Sequence, residues 1–109
     1  MSLPVRVHKI GTNKGRPRIW LDGPRLAEAG FVGGTVYLCN VVKGGIFIAV
    51  SSDPSAMGRE RKVTGRPDGK PIIDILGRDV ETAFPGATHV VVTFRKGRII
   101  IRATSAEAE

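Results

Sequence analysis

Eight cations in this chain could grip a polyanion: Lys9, Lys14, Arg16 and Arg18 near its start, and Arg59, Arg61, Lys62 and Arg66 in its middle. Lys14 and Arg16 flank Gly15, where a backbone without a side chain can press close to a phosphate. If six to eight of these cations touch phosphates, duplex affinity should fall with salt at a slope of about −0.9 per contact. Their positions on predicted loops favour phosphate contact over base readout, which needs Arg, Asn or Gln on a rigid element. The bland alternative is a solvated set of charges that touch nothing.

Other chemistry has less to stand on. His8 and His89 are isolated, with no Cys, Asp or Glu at metal-ligand spacing, so neither a metal nor a cofactor is expected. No Ser or Cys sits in a nucleophile motif. Gly65-Arg66-Pro67-Asp68-Gly69-Lys70 is one residue short of a phosphate loop and continues with Pro71, not Ser or Thr. Asp74, Asp79 and Glu81 could gather as carboxylates, although helix capping and a solvated face explain them more simply. The sequence therefore shows no catalytic constellation. Trp20, Tyr37 and the Phe residues lie in strand-like apolar runs and are expected in the core, which argues against an aromatic platform for single strands. Cys39, the lone cysteine, is expected as a small buried apolar residue.

Charge supports the first reading. A net charge of +7 and a pI near 10.3 suit a polyanionic partner, most simply nucleic acid. Residues 1–50 hold seven basic and two acidic side chains, residues 51–70 five and three, and residues 71–109 five and five. The excess thus sits in the first half and the middle. At 109 residues, 41% of them hydrophobic, the chain can bury one compact core. No apolar run reaches the roughly 20 residues of a membrane helix. The N-terminus lacks the apolar core of a secretory signal and one cysteine allows no internal disulfide, so a cytoplasmic or nucleoid-associated placement is expected, with no membrane partner.

These residues must be positioned by strands. Residues 3–10 read as a strand with Val5, Val7 and Leu3 on one face and Arg6 and His8 on the other. Residues 11–17 read as a turn or loop rich in Gly and cation, and residues 18–21 as a second strand. Pro24 opens a helix that ends at Gly30. Residues 35–42 and 46–50 flank Lys43-Gly44-Gly45, a hairpin signal. Residues 51–70 lack apolar periodicity and read as a basic connector. The same order then returns: a strand at 72–75, a helix at 78–83, and hairpin strands at 89–94 and 98–103, before a short tail.

The return is visible in the residues. Pro17-Arg18-Ile19-Trp20-Leu21 is echoed by Pro71-Ile72-Ile73-Asp74-Ile75 at an offset of 54, and Gly23, Leu26 and Ala29 meet Gly77, Val80 and Ala83. Skipping Gly30 moves the offset to 53, where Phe31, Gly33, Thr35 and Lys43-Gly44 meet Phe84, Gly86, Thr88 and Lys96-Gly97. The expectation is a single domain, 1–109, made of two repeated units, about 3–50 and 71–103, joined by the connector 51–70. Units this short can scarcely bury a core alone, so they should pack on each other.

Each unit resembles the swapped-hairpin unit of the AbrB (SpoVT-AbrB) superfamily, and Arg18-Ile19-Trp20-Leu21, Leu26-Ala27-Glu28-Ala29-Gly30-Phe31 and Gly34-Thr35 are similar to the signature of its SymE-like branch. The resemblance covers residues 17–50 well and 71–103 more loosely. It implies a mainly β fold with short helices: a swapped-hairpin β-barrel built as an intrachain pseudo-dimer, either monomeric or further paired as a homodimer. It also implies DNA or RNA as partner and a role as regulator or toxin, with Lys14, Arg16 and Arg18 in the segment that supplies cations to DNA in AbrB-like proteins. An antitoxin or accessory protein-binding module and an RNA-cleaving toxin are the alternatives. Asp74 in place of Trp20 makes the two units unequal, which favours an asymmetric binder over a reader of palindromes.

Overall fold

Alternating apolar residues and frequent glycine turns build a mainly β molecule, seen here in a computed structural model that describes residues 5–65 and 69–104. Its described elements are β1 (Val5–Lys9), β2 (Gly11–Asn13), β3 (Arg16–Asp22), α1 (Pro24–Glu28), β4 (Val36–Val42), β5 (Gly45–Val50), β6 (Arg59–Lys62), β7 (Thr64–Gly65), β8 (Pro71–Ile75), α2 (Gly77–Ala83), β9 (His89–Arg95) and β10 (Arg98–Ala103). They pair into two antiparallel sheets where a single barrel was expected: six strands in the order β1-β9-β10-β5-β4-β6, and four in the order β2-β3-β8-β7. The inward faces share one core that includes Ile19, Leu21, Ile46, Ile48, Ile73, Val90, Val92, Ile99 and Ile101, with Leu26, Phe31 and Val80 beside the helices. Among the described residues no helix is long and apolar enough to cross a membrane.

Two expectations about local structure change. The turn or loop expected over residues 11–17 is a hairpin with paired strands: β2 pairs with β3 through a tight turn at Lys14-Gly15, both with positive φ (54° and 79°). Two left-handed residues give the turn a twist that matches the strands, as in type I′ hairpins. Much of the supposed connector is also strand. β6 pairs with β4 and β7 with β8, so the linking stretch shrinks to 51–58. Apolar alternation is missing there because β6 is an edge strand of charged residues, which protect an open edge from pairing with other chains.

The strand registers obey a two-fold relation. Ile19 pairs with Ile75 and Leu21 with Ile73, so the 54-residue offset exchanges the two pairs, while Trp20 faces its own counterpart Asp74. Ile48 pairs with Ile99 and Ile46 with Ile101, which the 53-residue offset exchanges, while Phe47 faces its counterpart Ile100. The relation extends upstream. Lys9 pairs with His89 as Lys62 pairs with Val36, and the buried corners Ile10 and Val63 correspond. Each half lends strands to the other: β1 pairs with β9, and β6 with β4. Each hairpin turn also rests on the opposite helix, Gly44 N–H donating to Ala83 O at 2.8 Å and Gly97 N–H to Ala29 O at 2.6 Å.

Candidate nucleic-acid interface

The four-stranded sheet gathers several of the expected cations and neutralises them. Strand alternation sends Ile19 and Leu21 into the core, so Arg16, Arg18 and Trp20 project outward from β3. Arg18 donates from Nε and Nη2 to the two carboxylate oxygens of Asp74, both at 2.9 Å, a forked geometry that fixes the guanidinium plane. Its guanidinium carbon also lies 4.3 Å from the centre of the Trp20 ring. Arg16 donates to Glu81 at 2.7 Å, and Arg61 lies 3.8 Å from Asp79. The carboxylates Asp74, Asp79 and Glu81 thus do not gather; each takes one arginine. The pairing to Arg16 holds the Glu81 carboxyl below the usual range.

Of the eight expected cations, Arg16, Arg18 and Arg61 are therefore engaged. Lys9, Lys14, Arg59 and Lys62 are exposed and carry no ion pair among the described residues, and Arg66 lies outside them. These four do not form one cluster in the fold. Lys9 ends the edge strand β1, Arg59 and Lys62 lie on the opposite edge strand β6, and Lys14 tops the β2–β3 turn. The placement of Val7 is also corrected: it is 55% exposed on the outer side of β1, because the core side of that edge strand takes Ile10 and the partly buried His8.

The aromatics divide. Tyr37 is buried, with its ring edge-on to Phe31 at 6.2 Å between centres. Trp20 is not core: it is partly exposed under Arg18, and its indole N–H donates to Asp22 at 3.0 Å. Phe47 is likewise partly exposed, on the outer face of the six-stranded sheet, with the Arg102 guanidinium carbon 5.5 Å from its ring centre. His8 Nε2 donates to the Trp20 carbonyl at 2.8 Å, and His89 Nδ1 lies 2.9 Å from Thr88 Oγ1. Cys39 is buried, and burial above all pushes its thiol up to about 11.

Sequence reasoning missed Arg95, Arg98 and Arg102. They lie on the outer face of β9 and β10, where Arg95 pairs with Arg98 across the hairpin. The signal was present in Arg98-Ile99-Ile100-Ile101-Arg102: Ile99 and Ile101 are buried, so both arginines must face outward with Ile100. Arg98 is tethered to the 51–58 stretch, donating to Asp53 at 2.9 Å and to the Ser55 hydroxyl. That tether, reinforced by Ser55, holds the Asp53 carboxyl far below the usual range. No family model, curated protein or solved structure matches the chain.

Proposed function

We propose that this chain is a small basic nucleic-acid-binding protein of the swapped-hairpin, AbrB-like kind, carrying both units as an intrachain pseudo-dimer and acting as a regulator or SymE-like toxin. Its phosphate contacts are Lys9, Lys14, Arg59 and Lys62, with Arg66 added. The observation that carries the reading is electrostatic. The net charge is +7, and the carboxylates of β8 and α2 take up only Arg16, Arg18 and Arg61. The remaining excess is exposed, and exposed cations bind polyanions by releasing counterions. The exchange of strands and of hairpin-to-helix contacts between the halves supports the swapped-hairpin reading. No specific observation favours the protein-binding or RNA-cleaving alternatives.

The test is a salt-titrated binding assay with duplex DNA, single-stranded DNA and structured RNA. Substituting Lys9, Lys14, Arg59 and Lys62 with Ala should weaken binding and flatten its salt slope. Substituting Arg16 and Arg18 should change the slope little. Absence of binding to every probe at low salt overturns the proposal.

A further inference from the structure

The outer face of the six-stranded sheet sets apolar side chains among cations. At its centre, on the two-fold relation, Phe47 and Ile100 face each other. Around them Val42 is 42% exposed, Val7 55% and Met57 67%. A groove of about 320 Å³ is lined by Phe47, Ala49 and Ile100 of the sheet and by Ala56 and Met57 of the 51–58 stretch, together with Arg98. The Phe47 ring leans back over Gly45: a side-chain carbon there would come within 2.9 Å of the ring. The ring is thereby held low on the sheet beside Arg102, not upright in solvent.

The charge on this face chooses among occupants. Lys9, Lys62, Arg95, Arg98 and Arg102 outnumber Asp53 and Glu60, so a second copy would bring like net charge against itself. An anion is complementary. An aromatic ring and a guanidinium set side by side on a sheet suit an unstacked base with its phosphate, which a duplex does not offer. We infer that this face binds single-stranded nucleic acid, seating one base against Phe47 in the groove while the phosphates follow Arg102, Arg95 and Lys9. The inference rests on the proposed function and names its substrate class. It also adds Arg95 and Arg102, which the sequence did not mark, to the expected Lys9.

The probes are a labelled oligothymidylate and an oligouridylate of about twelve nucleotides, within the span such surfaces cover, and a duplex of the same length. The parent should bind the single strands more tightly than the duplex. Phe47→Leu keeps the apolar contact but removes the stacking plane. It should weaken single-strand binding about five- to hundredfold with an unchanged salt slope, and Phe47→Trp should restore it. Arg102→Gln, at an exposed position, should flatten the single-strand slope by about 0.7. Equal thermal unfolding midpoints establish that the variants fold. Parental affinity in Phe47→Leu, with losses only in the Lys9, Lys14, Arg59 and Lys62 variant, overturns the inference and leaves the proposed function standing. Binding to no nucleic acid removes both. Retention of an acidic peptide in place of the oligonucleotides would make the face a protein site and also overturn the inference.

Discussion

Releasing the three arginines held by carboxylates should steepen the salt dependence of binding by a predictable amount. The perturbation is Asp74→Asn, Asp79→Asn and Glu81→Gln together, which keeps side-chain size and removes the charges opposite Arg18, Arg61 and Arg16. In the parent, the phosphate contacts proposed above are Lys9, Lys14, Arg59 and Lys62, with Arg66 added. If those cations alone meet the duplex, its slope is bounded between about −3.6 and −4.5, so affinity falls about 150- to 500-fold between 50 and 200 mM salt. Three released arginines move that bound to between about −6.3 and −7.2, a loss of about 6,000- to 20,000-fold over the same range. Fluorescence anisotropy of a labelled duplex at five or six salt concentrations reads the slope, and thermal unfolding establishes that the variant folds. A parental slope already near −7 would refute the reasoning, because cations beyond the proposed set would then be meeting phosphates. An unchanged slope in the triple variant would place Arg16, Arg18 and Arg61 away from the bound surface.

Gly58 has φ +112°, and a side-chain carbon there would lie 2.2 Å from the carbonyl oxygen of Cys39. Gly58→Ala should cost about 2–4 kcal/mol in urea unfolding, and a loss below about 0.5 kcal/mol would mean that the 51–58 stretch shifts freely. Cys39, with its thiol pushed up to about 11, should be labelled by a disulfide reagent at pH 8 only as fast as the protein opens; immediate labelling of the native protein would contradict its burial. Asp53 and Glu81 are held below their ordinary carboxylate values by Arg98 and Arg16, so the unfolded chain takes up protons at higher pH than the folded one. Their contribution is present above the unfolded values and is lost as pH falls through the folded ones. Asp53→Asn with Glu81→Gln should therefore flatten the acid side of the stability curve, and an unchanged acid limb would show that neither pair matters to folding.

Residues whose environment is set by local alternation were legible in the sequence. The helices at Pro24 and near Arg78, and the hairpins closed by Lys43-Gly44 and Lys96-Gly97, stand where periodicity and turn chemistry place them. The residues that misled sit where long-range pairing decides exposure. Val7 belongs to an edge strand with one covered side, and Trp20 faces out because its neighbours Ile19 and Leu21 face in. β6 was unreadable as a strand because Arg59-Glu60-Arg61-Lys62 has no apolar member; only its register opposite β4 makes it the counterpart of β1. The cations were legible as residues and not as a site. Which of them meet a carboxylate depends on Asp74, Asp79 and Glu81, and for Arg16 and Arg18 those partners are 65 and 56 residues away.

The imbalance between the halves also has a structural use that composition alone does not reveal. In the sequence, a strongly cationic first half beside a balanced second half reads as a single basic binding surface. In the fold, Arg16 and Arg18 of β3 cross the two-fold relation to Glu81 and Asp74 of the other half. Two identical halves would instead set Trp20 against a second Trp20 and leave both copies of Arg18 without a carboxylate at that position. Divergence at Asp74 therefore turns one end of the axis into a charge-matched seam, closed over by Arg18 on Trp20. At the other end, Phe47 meets Ile100, and the arginines of β9 and β10 outnumber the acids. Joining two units in one chain permits this division of labour, which a symmetric pair of single units could not make. One end of the axis holds the halves together, and the other is left cationic and partly apolar, the face proposed above as the binding surface.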